Sequence, residues 1–480
     1  MGVLGPAALA ALAIPAALAA QTIGAAEHAV RRDSLAARID SGIVVAFGGR
    51  TPVGSERFMQ LPAFRYLTGF LEPDAAFVMV MRPGTTHATL FTSERDPRRA
   101  LYDGFPPDSA EVARQTGIEA RTIEGLPAHL DSLAGSGLPF YTLRDFATAD
   151  AAGTDSLTRG AHFMRQFAEG HPAITVRDAH PILDSLRTRK SPAEVAMLRR
   201  AIDITAGGIR EVMRALKPGM WEYEVEAMLQ SAFRRTGGDG TAFVSIVASG
   251  PNSTQYHYNA NNRRIGKGEV VVMDVGAGYG GYAADVTRTL PASGRFSAEQ
   301  RAVYQIVRDA QAAAEKAARP GATFESWREA ARRVVARGVA RLGLTEGQDA
   351  TFDPPWADQC DDNPAACTQA FLYMAHGLGH GIGLEVHDRP HPWYGPGTFQ
   401  PGDVFTIEPG IYVSRKLLDI LPDTPKNRAM IAKVRPAVER YHDIGIRIED
   451  DYLITGRGIE WLSRAPREIA EVEAEMARSP

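Results

Sequence analysis

Val270–Thr289 reads VVVMDVGAGYGGYAADVTRT, and this stretch decides the fold. Val270 to Val275 is an apolar, β-branched run, and glycines at 276, 278, 280 and 281 punctuate the residues after it, so the segment predicts a β-hairpin. With Tyr279-Gly280 as the two-residue loop, Asp274 and Asp285 face each other on one side of the hairpin, their Cβ atoms about 5 Å apart. Two acids so placed repel unless a cation sits between them. The plain alternative is two unrelated acids, one of them in a turn. Aspartate is depleted in strands, which favours two legs of a metal site.

A second copy supports that reading. Gly268-Glu269-Val270-x-x-x-Asp274-x-Gly276 recurs as Gly402-Asp403-Val404-x-x-x-Glu408-x-Gly410. Each copy lies downstream of two helical segments joined by a basic-Pro-Gly turn, Lys217-Pro218-Gly219 and Arg319-Pro320-Gly321. The pattern predicts an internal repeat with approximate two-fold symmetry, which would bring Asp274, Asp285 and Glu408 into one cleft.

The chain has 480 residues, enough for two or three domains, and a formal net charge of −4. That charge gives no pointer to nucleic acid or to an anionic membrane surface. The two cysteines, Cys360 and Cys367, are not spaced as a zinc knuckle; in an oxidising compartment they could close a small loop. Residues 1–20, MGVLGPAALAALAIPAALAA, are small and apolar, too short for a membrane span. Ala17-Leu18-Ala19 fits a cleavage site, so this is an expected signal peptide and the protein is expected outside the cytoplasm, although no Lys or Arg precedes the run.

Residues 21–180 read as a separate α/β domain, with buried strands at Ile43–Phe47, Ala76–Val80 and His87–Phe91 and a polar helix near Ser109–Thr116. Its acids and arginines read as solvated surface. Ser191-Pro192-Ala193-Glu194 then opens a helix with a capping box and Pro in the first turn. Residues 181–480 form the second domain, with further helices from about Trp221 to Arg235, Ala298 to Ala318 and Phe324 to Leu342.

Three of the twelve histidines, His376, His380 and His387, fall in HGLGHGIGLEVHD. The interleaved glycines argue against a regular helix and let the backbone approach a ligand closely. Ile444-Gly445-Ile446-Arg447-Ile448-Glu449 is a strand with Arg447 and Glu449 on one face. Glu449 reads as a further ligand and Arg447 as its neighbouring partner. Four carboxylates and one imidazole suit two divalent ions, Mn²⁺ first, with Co²⁺, Fe²⁺ and Zn²⁺ as alternatives.

Asp274, Asp285, His380, Glu408 and Glu449 match, in order and context, the five-ligand set of the pita-bread metallopeptidases. The chain resembles that family from about Asp184 to Thr455. SPAEVAMLRRA is similar to the entry helix of its aminopeptidase P and prolidase branch, and FRYLTGFLEPDAA to that branch's creatinase-type N-terminal domain. The resemblance implies an α/β (α+β) chain whose C-terminal pita-bread (creatinase/aminopeptidase) fold carries the pseudo-two-fold repeat. It implies that His257 is a substrate-side histidine, that His376 and His387 orient the scissile peptide and stabilise the tetrahedral intermediate, that Glu408 both holds metal and shuttles a proton, and that Arg447 is the arginine beside the last glutamate. The segment TFDPPWADQCDDNPAAC and the stretch Val413–Tyr441 depart from the family pattern, and both are expected to flank the cleft.

The implied activity is hydrolysis of the Xaa-Pro bond at the N-terminus of peptides, by a homo-oligomer, dimer or tetramer, with no nucleic-acid or membrane partner. The alternatives are an Xaa-Pro dipeptidase, a non-peptidase enzyme of the same fold, and a peptide-binding module. Binding modules on such a fold lose ligands, and none is missing here.

Overall fold

The computed structural model describes residues 22–52, 57–93, 97–143, 159–390 and 395–478. The expected signal peptide, residues 1–20, lies outside the described residues. Among the described residues no helix is long and apolar enough to cross a membrane.

The N-terminal half is built on β1 (Gly42–Phe47), in which every residue is buried. A continuous apolar run suits a strand covered on both faces. Ile43, Val45 and Phe47 face one core and Val44 and Ala46 the other. The other strands are β2 (Ala76–Arg82), β3 (Thr85–Thr92), β4 (Glu119–Thr122), β5 (Phe140–Thr142) and β6 (Val176–Asp178), in the order β4-β3-β2-β1-β5-β6. Helices α1 (Ala25–Ile39), α2 (Pro62–Thr68), α4 (Ser109–Thr116) and α7 (His180–Arg187) cover one face; α5 (Leu126–Ala134) and α6 (Arg159–Gly170) cover the other; α3 (Pro97–Asp103) follows β3.

The capping box forms as read: Ser191 Oγ accepts from Glu194 N–H at 3.3 Å, and Glu194 Oε2 accepts from Ser191 N–H at 3.0 Å. It starts α8 (Pro192–Ala215), which pairs with α9 (Glu222–Arg235). Leu198, Ile202, Ile209 and Val212 of α8 are fully buried. Truncating Leu198, Ile202 or Ile209 to Ala costs about 2–5 kcal/mol. Then come β7 (Gly240–Thr241), β8 (Ile246–Ser249), β9 (Val270–Val275), β10 (Ala277–Tyr279), β11 (Tyr282–Ala283) and β12 (Val286–Pro291). The second half repeats the plan: α10 (Ala298–Ala317), α11 (Phe324–Arg341), β13 (Val404–Ile407), β14 (Gly410–Val413), α12 (Pro425–Tyr441), β15 (Ile444–Arg447), β16 (Asp450–Thr455), β17 (Gly458–Trp461) and α13 (Ile469–Met476).

The repeat holds bond for bond. Gly219 N–H donates to the Ile265 carbonyl and Gly321 N–H to the Phe399 carbonyl, each at 2.8 Å. Glu222 N–H donates to Arg263 and Phe324 N–H to Gly397, each at 3.0 Å. Glu269 accepts from Gly266 N–H, and Asp403 from Gln400 N–H, each at 2.7 Å. Shared turn chemistry explains the motif: Gly268 and Gly402 both adopt positive φ, 82° and 97°, and the acid after each glycine ties the turn down.

The hairpin forms, but its loop is Gly280-Gly281, not Tyr279-Gly280. Both glycines have positive φ, 57° and 80°, as a tight two-residue hairpin loop requires. Tyr279 therefore pairs with Tyr282, and Asp274 with Thr287 rather than with Asp285. The shift moves the pairing by two positions, so side-chain parity survives and Asp274 and Asp285 share a face as diagonal neighbours.

The N-terminal arginines are not all solvated surface. Arg31 and Arg32 are buried, and Arg31 lies 3.6 Å from Glu194 and donates to the Tyr282 hydroxyl at 3.4 Å. Arg65 donates to the Gly280 carbonyl and leaves no room for a Cβ at Gly281. Arg31 and Arg65 fasten the N-terminal half to the tip of the hairpin, a contact that no local pattern could announce.

Candidate metal centre and active-site cleft

Four strand ends and one glycine-rich segment meet between the two copies of the repeat. Asp274 is on β9, Asp285 immediately precedes β12, Glu408 immediately follows β13, and Glu449 immediately precedes β16. The glycine-rich segment is not helical; it runs antiparallel along β13. Ile382 N–H donates to Val404, Thr406 N–H to His380 and Glu408 N–H to Leu378, at 2.8–3.1 Å. A Cβ at Gly379 would overlap the Thr406 carbonyl, and one at Gly381 the backbone of Asp388. The glycines therefore let the segment lie flat against the strand and deliver His380 to the carboxylates.

His380 Nδ1–H donates to the Gly381 carbonyl at 3.0 Å, which turns the Nε2 lone pair toward the acids. Nε2 stands 3.4 Å from Asp285, 3.6 Å from Glu408 and 3.8 Å from Glu449. Ligand atoms of Asp285, His380 and Glu449 all lie within 4.8 Å of one another, and all three residues are buried. Arg447 Nη2 donates to Asp274 Oδ2 at 2.6 Å. It also reaches the Tyr412 hydroxyl at 2.9 Å, and Tyr412 meets His376 Nε2 at 3.0 Å. His376 Nδ1 lies 3.7 Å from Glu408 Oε2. The structure thus brings all five expected ligands together with His376 and Arg447.

The electrostatics ask for a cation. Burial, then Glu449, Asp274, Asp451 and Glu408, push the Asp285 carboxyl well above the usual carboxylate range. Burial and the neighbouring acids do the same to Glu449, and burial lifts Glu408 to about 8. Burial depresses His380 and His376 to about 3, so both imidazoles are neutral, the form that ligates. Buried Asp274 Oδ1 and Asp285 Oδ1 accept no hydrogen bond. Oxygens so placed are costly when unsatisfied, and divalent metal held here would satisfy them.

The centre opens into a cleft of about 830 Å³ that Asp274 and Asp285 line together with His257, His387, Phe243 and, from the N-terminal half, Arg65. His257 is exposed there, and the His387 ring centroid lies 4.4 Å from that of His380.

Residues 196–456 match metallopeptidase family M24, and residues 28–138 match the aminopeptidase P N-terminal domain. The chain belongs to metallopeptidase family M24. It is 32% identical over 426 residues to the Xaa-Pro aminopeptidase of Escherichia coli (strain K12), covering 87% of this chain and 89% of the relative. Over 430 residues it is 32% identical to the Xaa-Pro aminopeptidase of Haemophilus influenzae, covering 87% and 88%. Among solved structures, proline aminopeptidase P II from Yersinia pestis superposes with TM-score 0.78 at 28% identity, over 95% of this chain and all of that one. A Glu-to-Ala variant of Escherichia coli aminopeptidase P in complex with substrate gives 0.77 at 29%, over 95% and 98%. These place this M24 chain on the aminopeptidase P branch, with the pita-bread fold in its second half.

Several site residues of this M24 chain escaped sequence reading. Thr287 bonds Glu449; it stands two positions after Asp285 on the same strand face, a signal that parity alone carries. Tyr412 links Arg447 to His376 from two positions after Gly410, and Asp451 Oδ2 accepts from Asp285 N–H at 3.2 Å. The segment TFDPPWADQCDDNPAAC walls a void beside His376, and its Cys360 and Cys367 form a disulfide with Cα atoms 5.8 Å apart. The stretch Val413–Tyr441 lines neither that void nor the cleft; most of it is α12 and its lead-in.

Proposed function

We infer that the protein is a metal-dependent Xaa-Pro aminopeptidase, a hydrolase that removes an N-terminal residue lying before proline. The observation that carries this is the meeting of Asp274, Asp285, His380, Glu408 and Glu449 around two buried carboxylate oxygens without donors, in a chain so similar to Xaa-Pro aminopeptidases. Those five residues would hold two divalent ions, with Mn²⁺ the first choice for an oxygen-rich donor set. When bound, the ions supply Lewis acidity and an acidified water.

The chain's own groups supply the rest. Glu408, between His380 and His376, carries a proton from the water to the leaving proline nitrogen. His376 and His387 hold the scissile peptide from two sides, and His257 reaches the substrate across the cleft. Arg447 holds Asp274 in its ligating orientation, and the N-terminal half walls the cleft against bulk water.

Export through residues 1–20 is part of the proposal, and the Cys360–Cys367 disulfide supports an oxidising compartment. So is a division into two domains near residue 180. Homo-oligomerisation is supported by Leu101, Tyr102 and Phe105, large apolar side chains exposed within one short stretch. The test is release of the free first residue from Xaa-Pro-peptides by the metal-loaded protein, stopped by chelation. No release, with metal bound, would overturn the reading.

A further inference from the structure

His257 lines the cleft, is exposed, and makes no hydrogen bond through its ring among the described residues. Its place is therefore set by the chain on either side of it. Both neighbours are tyrosines, and each is tied to a different half of the repeat.

Tyr258 is held from the first half. Its hydroxyl donates to Glu222 Oε2 at 2.7 Å, and Glu222, the first residue of α9, is fully buried. The same carboxylate accepts from Ser249 N–H and from the Ser249 hydroxyl at 2.7 Å, from Asn252 Nδ2 at 3.3 Å and from Arg263 N–H at 2.9 Å. These donors mark the entry, the middle and the exit of one excursion of the chain, residues 249–263. A buried carboxylate needs donors to offset its lost hydration, and one loop supplies them here. The fold does not require the arrangement. Phe324 holds the equivalent place in the second half, keeps the equivalent backbone bond to Gly397, and packs its ring 4.8 Å from that of Phe399.

Tyr256 is held from the second half. Its hydroxyl accepts at 3.2 Å from the N–H of Ala375, the residue before His376. Its ring centroid lies 5.2 Å from that of His376 and 4.6 Å from that of Tyr412, whose hydroxyl meets His376 Nε2. The same tyrosine thus adjoins His257 in the chain and His376 in space.

We propose that Tyr256 and Tyr258 are positioning residues for His257, that Glu222 is the anchor of Tyr258, and that Tyr256 sets the placement of His257 and His376 together. The inference rests on the Xaa-Pro aminopeptidase reading and adds to it how histidines from the two halves of the repeat are brought to one peptide.

The experiment is a double-mutant cycle in kcat/KM on one Xaa-Pro-peptide, with bound metal and Tm measured on every protein. Tyr258→Phe keeps the ring and removes the hydroxyl; Tyr256→Leu removes the ring. Each is made in wild type and in His257→Ala. In wild type, Tyr258→Phe should lower kcat/KM about tenfold, the scale of one hydrogen bond to a charged group, with metal content unchanged. Tyr256→Leu should lower it at least as far, because two imidazoles lose their neighbour. In His257→Ala, Tyr258→Phe should cost nothing further, whereas Tyr256→Leu should still cost rate through His376. A staple that only stabilises the loop gives a different pattern: a lower Tm, and the same fold-loss from Tyr258→Phe with His257 present or absent. That pattern, or wild-type kcat/KM in Tyr258→Phe, overturns the proposal and leaves the aminopeptidase reading intact; a Tyr256→Leu loss that vanishes with His257 overturns the shared placement of His376. Tyr258→Phe decides the matter alone if Tyr256→Leu does not fold. Full activity in His257→Ala overturns the substrate role of His257 and this proposal with it, and failure of the metal-loaded wild type to cleave any Xaa-Pro-peptide overturns the aminopeptidase reading itself.

Discussion

Thr287 donates its hydroxyl to Glu449 Oε2 at 2.7 Å, across the seam between the two halves of the repeat. The bond exists because the repeat is faithful in backbone and unfaithful in chemistry. Asp274 pairs with Thr287. Continuing the β13–β16 register, in which Ile407 pairs with Asp450, sets Glu408 opposite Glu449. Thr287 and Glu449 therefore hold equivalent places, and one supports the other. By the same register Arg447, opposite Gly410, holds the place that Asp285 has opposite Gly276. The first half contributes two acids on this face. The second contributes two acids and a guanidinium, which Asp274 Oδ2 accepts at 2.6 Å.

Thr287→Val should keep the packing and remove the donor. Glu449 then loses the bond that fixes its second oxygen and leaves its first facing His380. Metal affinity should fall about 10–100-fold, the usual effect of losing a partner that orients a ligand. Metal titration of the variant checks this. Unchanged affinity would mean that Glu449 is fixed by its strand alone.

Asp285→Ala and Glu408→Ala should each abolish peptidase activity and lower the bound metal. Asp285 is buried among acids with His380 Nε2 at 3.4 Å, while Glu408 sits between His380 and His376. Metal analysis beside an Xaa-Pro-peptide assay decides the matter. Full activity in a thoroughly chelated sample would sink the metal assignment itself.

How legible this centre was depends on the kind of contact. Asp274 and Glu408 were legible because each lies just beyond a Gly-acid-Val turn whose hydrogen bonds are local. The hairpin's face assignment survived a misplaced loop because parity is insensitive to a shift of two. The pairing itself did not survive, since GYGG offers two glycine-bearing loops and only the folded strands choose. Arg31, Arg65 and Tyr412 were not legible at all. Their partners lie 35 to 251 positions away in the chain. Docking of whole elements creates such contacts, and no window of sequence contains both ends.

His28 should make stability fall in mild acid. It is buried on α1 with Nδ1 3.0 Å from the Tyr66 carbonyl. Burial first, then Arg31, Arg32 and Arg65, lower its pKa from 6.5 to about 4, against the Tyr66 bond, which raises it. A lowered histidine pKa means that the unfolded chain takes up the proton first. The contribution is present above pH 6.5 and is lost as pH falls toward 4, roughly 3 kcal/mol in all. Urea unfolding from pH 7 to 4 should be less steeply pH-dependent in His28→Gln. An identical slope in the variant would place the acid sensitivity elsewhere.

Arg187 should be worth more than an ordinary surface ion pair. At the end of α7 it meets Glu385 at 2.6 Å and Asp388 at 3.0 Å, and all three are at most 9% exposed. Asp388 also accepts from Leu384 N–H and Arg389 N–H, so the guanidinium anchors the whole turn that carries His387. Arg187→Met takes the guanidinium from two buried carboxylates, leaving Asp388 with Lys190 at 3.8 Å, and should cost about 3–5 kcal/mol. Adding Glu385→Gln should recover part of that loss in urea unfolding. A double variant no more stable than the single one would show that Asp388 alone sets the cost.

The two neighbouring histidines should separate cleanly. His380 directs Nε2 at three carboxylates and has its other nitrogen held by Gly381; His387 lines the cleft one ring away. If His387 acts on the substrate, its loss leaves the metal in place. A side chain that stabilises developing charge contributes a factor of about 10²–10³ in rate. His387→Ala should therefore lower kcat by that factor while metal content and Tm stay near wild type. His380→Ala should lose metal and activity together, because no other imidazole is aimed at Asp285 and Glu449 among the described residues. Metal analysis beside steady-state kinetics on both variants is the check. If His387→Ala strips the metal and His380→Ala does not, the ligand is His387, and the flat path of the glycine-rich segment along β13 does not describe the working enzyme.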